Sequence, residues 1–280
     1  MLKQRIVTAL VLLAILLPAL FATSPWPFAA LTLLLVAAAG WEWARLNGLA
    51  GNGALLFGSV LAALCVLTWL AGLTTAVPAA IWWLAMLAWV LGGAHVLRRG
   101  VPGWPQMPRA ARLLLGLLLL WTAWLALVAA RSLGLNFILS LFCVVWMADV
   151  AAYFGGRAFG KRKLAPAISP GKSWAGVYSG MAGTVVLAVV WLLVDRQLLV
   201  GAESASWFSI VAARIGIVAM LFAVLFLAAM SVVGDLVESL VKRSAGAKDS
   251  SALLPGHGGV LDRIDALLPV LPLALVFASL

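Results

Sequence analysis

The chain has 280 residues, of which 65% are hydrophobic and only 10% are charged. Soluble domains carry roughly 25% charged residues, so this composition excludes a soluble globular protein and predicts a polytopic helical membrane protein. The net charge of +10 does not indicate a nucleic-acid partner, because the 19 lysines and arginines lie in short groups between apolar runs. We therefore expect no nucleic-acid binding and attribute the positive charge to membrane topology.

Continuous apolar segments, bracketed by charged residues, Pro and Gly, each predict a transmembrane helix. There are nine, at residues 6–22, 28–46, 54–73, 76–97, 110–129, 135–153, 174–194, 208–232 and 265–280. The predicted fold class is all-α, with about nine transmembrane helices. A cleaved signal peptide is the alternative for the first segment. An uncleaved span is favoured because Pro25 and Pro27 turn the chain directly into the second segment.

Lys and Arg are concentrated on one side of the predicted membrane. If the N-terminus is cytoplasmic, sixteen of the 19 basic residues lie on the cytoplasmic side, and the other three are Arg131, Arg196 and Arg214. Because cytoplasmic connections are enriched in Lys and Arg, we predict a cytoplasmic N-terminus and a C-terminus on the opposite side.

Seven of the nine acidic residues fall on that same predicted side: Glu42, Asp149, Asp235, Glu238, Asp249, Asp262 and Asp265. A charge at membrane depth is costly unless it is paired or hydrated, so such residues indicate a functional site. All seven except Glu42 follow residue 134. We therefore divide the chain into a scaffold, residues 1–134, and a catalytic region, residues 135–280, with cytoplasmic loops at 154–173 and 233–264.

In chain order, the first polar stretch runs from Asp149 to Ser173. Asp149 and Tyr153 are spaced i, i+4 and so share one helix face. Lys172 and Ser173 begin the seventh predicted span, where backbone donors and the helix dipole favour an anion such as a phosphate. Contact with anionic lipid is the alternative role for this basic loop.

Residues 155–161 of that stretch imitate a phosphate-binding P-loop, with glycines followed by a lysine. Arg162 stands where the P-loop needs Ser or Thr, and a membrane helix rather than a strand precedes the glycines. We therefore reject the P-loop interpretation.

The densest polar stretch runs from Asp235 to Asp265. Asp235, Ser239 and Lys242 are spaced i, i+4 and i+7 on one helix face. The carboxylate and the hydroxyl could ligate a hard cation; a solvated helix end carrying a surface ion pair is the alternative.

A glycine-rich loop follows, and it strengthens the functional interpretation. Gly258 and Gly259 would let backbone N–H groups approach an anion closely, while His257 beside them is compatible with either a loop hydrogen bond or catalysis. Asp262 could complete an oxygen-ligand site with Asp235. Mg²⁺ is the expected ion, because it takes carboxylates, water and substrate phosphates, whereas zinc would call for a His/Cys cluster.

The same residues resemble a known family. Residues 239–265, SLVKRSAGAKDSSALLPGHGGVLDRID, resemble the signature of the phosphatidate cytidylyltransferases, also called CDP-diacylglycerol synthases. The stretch from Asp149 to Gly176 resembles the same family, with a departure at Ala175, where many members carry Glu or Gln. That departure puts any role of this side chain in doubt, but the neighbouring motif is intact.

The resemblance implies that CTP reacts with phosphatidate, a membrane lipid, to give CDP-diacylglycerol and pyrophosphate. It also implies a homodimer in the bacterial cytoplasmic (inner) membrane, with the active site facing the cytoplasm, and a requirement for Mg²⁺ with K⁺ as a second cation. Asp235 and Asp262 are the expected Mg²⁺ ligands, with Ser239 near the metal.

The remaining residues receive roles within that reaction. Binding of the phosphates is assigned to basic side chains: Lys172, Lys242, Arg243, Lys248 and Arg263. Asp249 and Asp265 are expected to orient these bases or to ligate through water. The other expected substrate-binding residues are Asp149, Tyr153, Ser173, His257, Gly258 and Gly259.

Three other classes of protein are alternatives to this family. A transporter or channel predicts polar residues near the bilayer midplane and often an internal repeat, but here the acids cluster near one surface. A CDP-alcohol phosphotransferase or a lipid kinase fits the polar surface equally well, although the phosphotransferase motif is absent from the sequence. A structural membrane protein has no need for the Lys-Asp and His-Gly-Gly loop.

Overall fold

The computed structural model describes residues 2–198 and 205–280. Within them, eight helices are long and apolar enough to cross a membrane. The prediction of a polytopic all-α membrane protein is therefore confirmed. Glu203, which the sequence places opposite the predicted site, lies outside the described residues.

Residues of the predicted scaffold form six α-helices and one π-helical turn. The helices are α1 (Leu2–Phe21), α2 (Trp26–Leu46), α3 (Gly51–Leu70), α4 (Ala79–Leu87), α5 (Gly93–Gly103) and α6 (Arg109–Ser132). The π-helical turn, Ala88–Gly92, joins α4 to α5, so that one membrane-length segment runs through Ala79–Gly103.

The predicted catalytic region adds six helices and a short antiparallel hairpin. Its elements are α7 (Leu135–Phe159), β1 (Lys163–Ala165), β2 (Ser169–Ser173), α8 (Trp174–Leu198), α9 (Trp207–Ile215), α10 (Ile217–Ser244), α11 (Leu261–Ile264) and α12 (Leu267–Ser279). The hairpin leads directly into α8 and places β2 beside the end of α10.

The eighth predicted segment, 208–232, is divided in two by Gly216. This residue has a φ of 85°, a left-handed conformation that favours glycine, and it separates α9 from α10. Helix α10 then continues to Ser244, beyond the predicted end at residue 232. It can do so because the charged side chains of its last turns are paired within the protein. The first six residues of the signature sequence, 239–244, therefore lie on a membrane helix.

The last predicted segment, 265–280, is not confirmed as a crossing. Helix α12 has 13 residues, which gives a length of about 20 Å, shorter than the roughly 30 Å hydrocarbon core. It packs instead among α4, α6 and α10, and Trp207 Nε1 donates a hydrogen bond to the Ala274 carbonyl at 2.8 Å. The predicted count of nine spans is thus not confirmed, and α12 forms part of the protein core.

Helices α7 and α8 pack closely through small residues. A Cβ on Gly155 would lie 2.3 Å from Ser179 Cβ, and a Cβ on Gly180 would lie 2.8 Å from the Ala148 carbonyl oxygen. Such close approach through small side chains is typical of membrane helix pairs. It fixes α7 against α8 on one side of the cavity described below.

Helix α1 faces mostly outward but is fixed by polar contacts near both ends. Arg131 of α6 donates hydrogen bonds to the carbonyls of Leu20 and Ala22, at 2.9 and 2.6 Å. Near the other end, Thr8 Oγ1 donates to the Pro255 carbonyl at 2.9 Å. The first helix therefore contacts the loop that carries the signature.

Candidate active site

A cavity of about 360 Å³ lies between α7, α8, α10 and the β-hairpin. Its lining changes character along the helices. The polar lining residues are Asp149, Tyr153, Arg157, Lys172, Ser173 and Asp235; the apolar ones include Ala148, Val177, Met181, Ala228 and Val232. The cavity thus offers charged groups at one end and apolar surface at the other, as a substrate with a charged head and an acyl chain requires.

An ion pair crosses the polar end of the cavity. Lys172 Nζ lies 2.7 Å from Asp235 Oδ2, and both side chains are partly exposed, at 24% and 31%. Ser239 Oγ donates a hydrogen bond to Asp235 Oδ1 at 3.2 Å. Asp149 of α7 lies within electrostatic range of both members of the pair. The structure therefore brings together Asp149, Lys172, Asp235 and Ser239 from three separate segments.

Ser173 is the last residue of β2 and directly precedes α8. Its hydroxyl is already engaged. It is buried and accepts a hydrogen bond from the Gly176 N–H at 3.2 Å, which caps the helix. Gly156 of α7 and Gly160, the residue after this helix, pass close to the same hydroxyl: a Cβ on Gly156 would lie 3.1 Å from it, and a Cβ on Gly160 would lie 2.8 Å from it. Ser173 thus fixes the start of α8 beside Lys172.

A second ionic cluster surrounds the loop between α10 and α11, with members from α2, α10, α11 and the loop itself. We call it the loop cluster: Glu42, Glu238, Lys242, Ser250, Ser251 and Asp262. Lys242 Nζ lies 2.6 Å from Glu238 Oε2 and 2.5 Å from Asp262 Oδ1. Asp262 Oδ2 accepts three further hydrogen bonds, from the Ser250 N–H, the Ser250 hydroxyl and the Gly259 N–H, at 2.7 to 2.9 Å. These groups tie the two ends of the loop together.

The charge state of Asp262 follows from these contacts. Burial alone would raise the pKa of its carboxyl, but the Lys242 ammonium and the Gly259 and Ser250 donors outweigh burial and lower this pKa to about 2. Asp262 is therefore ionised at neutral pH and is the anion around which the loop folds.

Glu42 of α2 belongs to the loop cluster, although the sequence places it in the predicted scaffold. It is fully buried, and its carboxylate accepts hydrogen bonds from the N–H groups of Val260 and Leu261, at 3.0 and 2.7 Å. It also accepts from the hydroxyls of Ser251 and Ser250, at 2.5 and 3.3 Å. The sequence feature that could have pointed to this role is an acidic residue inside a long apolar segment.

The glycine at position 259 is explained by this carboxylate. A Cβ on Gly259 would lie 2.2 Å from Glu42 Oε1 and 2.1 Å from Ser250 Oγ, so no larger residue fits. Gly258 has a φ of 84°, in the left-handed region. The Gly258-Gly259 pair therefore serves the packing of the loop in this structure, and Gly259 N–H points at the Asp262 carboxylate rather than at open space.

The remaining predicted residues lie outside the cavity lining. Arg243 donates to the carbonyls of Ile168 and Ala247, each at 3.3 Å, and so connects the β-hairpin to the loop cluster region. His257 is half-buried. Lys248, Asp249 and Arg263 are exposed. The structure thus places the predicted residues in two neighbouring sites and at the surface around them.

Arg157 is a cavity residue that the sequence reasoning did not select. It lines the same cavity as Asp149 and Tyr153, at positions i, i+4 and i+8 of α7. Continuing the helical period from Asp149 by one more turn would have found it.

The two carboxylates of the cavity, together with the Ser239 hydroxyl beside Asp235, have the chemistry of a hard-cation site. Asp149, Asp235 and Ser239 supply only oxygen atoms, which suit Mg²⁺. In the described part of the chain, however, no three His, Cys, Asp or Glu residues converge as a ready metal centre. Asp262, the other expected ligand, lies in the loop cluster. Its Oδ2 accepts hydrogen bonds from three donors, whereas its Oδ1 contacts only Lys242. The oxygen-only chemistry of these donors fits Mg²⁺, and Asp235 is the carboxylate inside the cavity that could hold it.

Comparison with known proteins identifies the family of this chain. A model of the cytidylyltransferase family matches residues 3–280. The phosphatidate cytidylyltransferase of Pseudomonas aeruginosa is 42% identical over 289 residues, covering 100% of this chain and 97% of that protein. The phosphatidate cytidylyltransferase of Haemophilus influenzae is 37% identical over 300 residues, covering 97% and 96%. That of Brucella suis is 44% identical over 147 residues, which are 52% of this chain and 48% of the relative.

Proposed function

This chain belongs to the cytidylyltransferase family, and we propose that it transfers the cytidylyl group of CTP to phosphatidate. The products are CDP-diacylglycerol, a precursor for phospholipid synthesis, and pyrophosphate. The observation that carries the proposal is the 42% identity to a phosphatidate cytidylyltransferase along the whole chain. The cavity supports it independently, because charged groups and apolar surface meet there in one site.

The chemistry requires little acid–base catalysis. The phosphate of phosphatidate is already an anion and attacks the α-phosphorus of CTP; a new P–O bond forms while the bond to the β-phosphate breaks and pyrophosphate leaves. The barrier is therefore mainly positioning and charge. Lys172 carries a positive charge at the polar end of the cavity, and β2 and the capped start of α8 hold it in place.

We propose Mg²⁺ as the cofactor, with K⁺ as the second cation. Asp235 is the proposed ligand in the cavity, Ser239 lies beside it, and Asp262 Oδ1 is the candidate oxygen from the loop cluster. A bound divalent cation supplies positive charge to phosphate oxygens and so stabilises the leaving group. The oxygen-only donors of these residues support the assignment.

The cellular setting is proposed on the same basis. The chain is a multi-pass membrane protein with bacterial relatives, and we place it in the cytoplasmic membrane with the cavity facing the cytoplasm, as the distribution of Lys and Arg predicts. We also propose a homodimer, which the mass of the purified protein in detergent, corrected for bound detergent, would test.

A direct assay tests the activity. Detergent-purified protein receives phosphatidate, Mg²⁺ and one labelled nucleoside triphosphate at a time, and label in chloroform-soluble lipid is measured together with pyrophosphate release. We expect transfer from CTP that depends on both phosphatidate and Mg²⁺. No transfer by folded, lipid-supplied protein would contradict the proposal and favour another reaction of a lipid phosphate.

A further inference from the structure

The charged groups that line the cavity are not all paired. Two are carboxylates, Asp149 and Asp235, and two are cations, Lys172 and Arg157. Lys172 is occupied by its 2.7 Å ion pair with Asp235. Arg157, in contrast, has no carboxylate partner within residues 2–198 and 205–280; its guanidinium Nη1 contacts the Tyr153 hydroxyl at 3.4 Å.

The position of Arg157 is set by α7. Arg157 follows Asp149 by eight residues, and therefore lies about 12 Å further along the helix axis on the same face. Tyr153 lies one turn before it and also lines the cavity. Both side chains are exposed, so Arg157 stands at the open, polar end of the cavity with its guanidinium accessible.

The charges of the cavity side chains favour a phosphate contact at this cation. The two carboxylates would repel a phosphate that enters the cavity, and Lys172 already neutralises one of them. An unpaired guanidinium at the polar end adds its attraction to that of the proposed metal ion. Its planar donors match two phosphate oxygens at once, which a lysine ammonium cannot do.

From these contacts we infer that Arg157 is a phosphate-binding residue of the cavity, an inference that rests on the proposed function. Tyr153 is the positioning residue that holds the guanidinium toward the cavity through its hydroxyl. The ligand is a phosphate group, carried either by phosphatidate or by CTP. Arg157 is thus a substrate contact in addition to those expected from the signature.

A basic side chain at a membrane surface can also serve only as a topology signal or a contact with anionic lipid. Arg162 provides the matched control, because it lies on the same basic connection but outside the cavity lining. Its guanidinium is stacked 5.7 Å above the Trp174 ring instead. A Gln substitution removes the same charge at either position.

The experiment compares wild type with R157Q, R157K, Y153F and R162Q in mixed micelles. CTP is varied at saturating phosphatidate in one arm, and the surface fraction of phosphatidate is varied at saturating CTP in the other. For R157Q we expect the KM of one substrate to rise by about 10- to 100-fold. R157K should restore part of this loss, Y153F should raise the same KM by a few-fold, and R162Q should match wild type. The arm that responds identifies which substrate carries the bound phosphate.

Different results would contradict the role of Arg157 and the proposed function. If wild type is active and R157Q has the kinetics of R162Q, the role of Arg157 is overturned and the proposed function stands. If wild type transfers nothing from CTP, the proposed function fails, and the anion site is tested through the rise in unfolding temperature that pyrophosphate with Mg²⁺ produces. That rise should be smaller in R157Q than in R162Q; an equal rise would overturn the inference. Unchanged unfolding temperatures without ligand confirm that the variants are folded.

Discussion

The cavity and the loop cluster contain the same kinds of residue but differ in their exposure to solvent. At the cavity, Lys172 and Asp235 form a single ion pair and are 24% and 31% exposed. In the loop cluster, the side chains of Lys242, Glu238 and Asp262 are only 3–11% exposed, and Asp262 accepts hydrogen bonds from three further donors. The first site has charges available to a ligand, whereas the second uses its charges to hold the loop together. Substitutions in the cavity should therefore affect catalysis with little change in stability, whereas substitutions in the loop cluster should also destabilise the loop.

The largest effect is expected for Asp235→Asn in the cavity. The substitution removes the partner of Lys172 and the proposed cation ligand, so turnover should fall by at least about 100-fold, as for other electrostatic catalytic groups. Transfer of label from CTP to lipid measures this loss. Because both side chains of the pair are partly exposed, the unfolding temperature should change little. A large loss of stability with proportionate loss of activity would place Asp235 in a structural role instead.

Glu42→Gln should affect both activity and stability. The carboxylate accepts four hydrogen bonds from the loop, but an amide has one oxygen and presents N–H donors to the other partners. Leaving buried donors without acceptors costs about 1–3 kcal/mol each, so we expect faster hydrogen exchange in residues 250–261 and a loss of turnover. Exchange elsewhere should remain near that of wild type. Unchanged exchange in the loop would show that Glu42 does not hold it.

The sequence predicted these two sites unequally. The sequence pointed to the cavity residues because Asp149 interrupts an apolar segment, while Lys172 and Asp235 lie just outside the ends of two others, near the predicted cytoplasmic surface. Glu42 carried the same signal, but its partners Val260 and Leu261 lie more than two hundred residues away and contribute only backbone N–H groups, which leave no trace in a sequence pattern.

The fold, like the sites, was predicted only in part from the sequence. The length of the apolar segments identified the long helices, because a segment that crosses the membrane must satisfy its backbone hydrogen bonds internally, as a helix does. It could not show that Gly216 breaks a continuous apolar run, or that α12 packs inside the protein. Both depend on backbone conformation and tertiary packing, to which hydropathy is insensitive.

Gly259→Ala tests the geometry of the loop cluster without changing a charge. The added methyl would lie within 2.2 Å of Glu42 Oε1 and 2.1 Å of Ser250 Oγ, so either the carboxylate or the loop must move, at a cost of about 1–3 kcal/mol. Thermal unfolding in detergent measures this cost. Gly53→Ala in α3 is the matched control, because its Cβ would meet only Leu49 at 3.7 Å or beyond. Equal unfolding temperatures for the two variants would contradict the packing described.

Acid should weaken the loop cluster through Asp262. The pKa of this carboxyl is lowered from 3.8 to about 2, so its ionised form stabilises the folded state above pH 4, and the contribution is lost as the pH falls toward 2. The shift corresponds to about 2 kcal/mol at neutral pH. Comparing the unfolding of wild type and Asp262→Asn between pH 7 and pH 3 isolates this group: the difference in stability should shrink on acidification. A difference that stays constant over this range would contradict the lowered pKa.

The smallest effect is expected where α1 meets the loop. Thr8→Val removes the hydrogen bond to the Pro255 carbonyl, and this carbonyl is exposed enough for water to replace the donor, so the cost should be no more than about 1 kcal/mol. Gly256 beside it packs against Arg5, with a potential Cβ position 3.0 Å from Arg5 Cγ, so α1 retains a second contact with the loop. We therefore expect at most a few-fold loss of turnover, with hydrogen exchange raised at residues 255–257 but not at Val260 and Leu261. Thr8→Ser, which keeps the donor, should behave as wild type. Increased exchange at Val260 in Thr8→Val would show that α1, rather than Glu42 alone, holds the loop cluster in place.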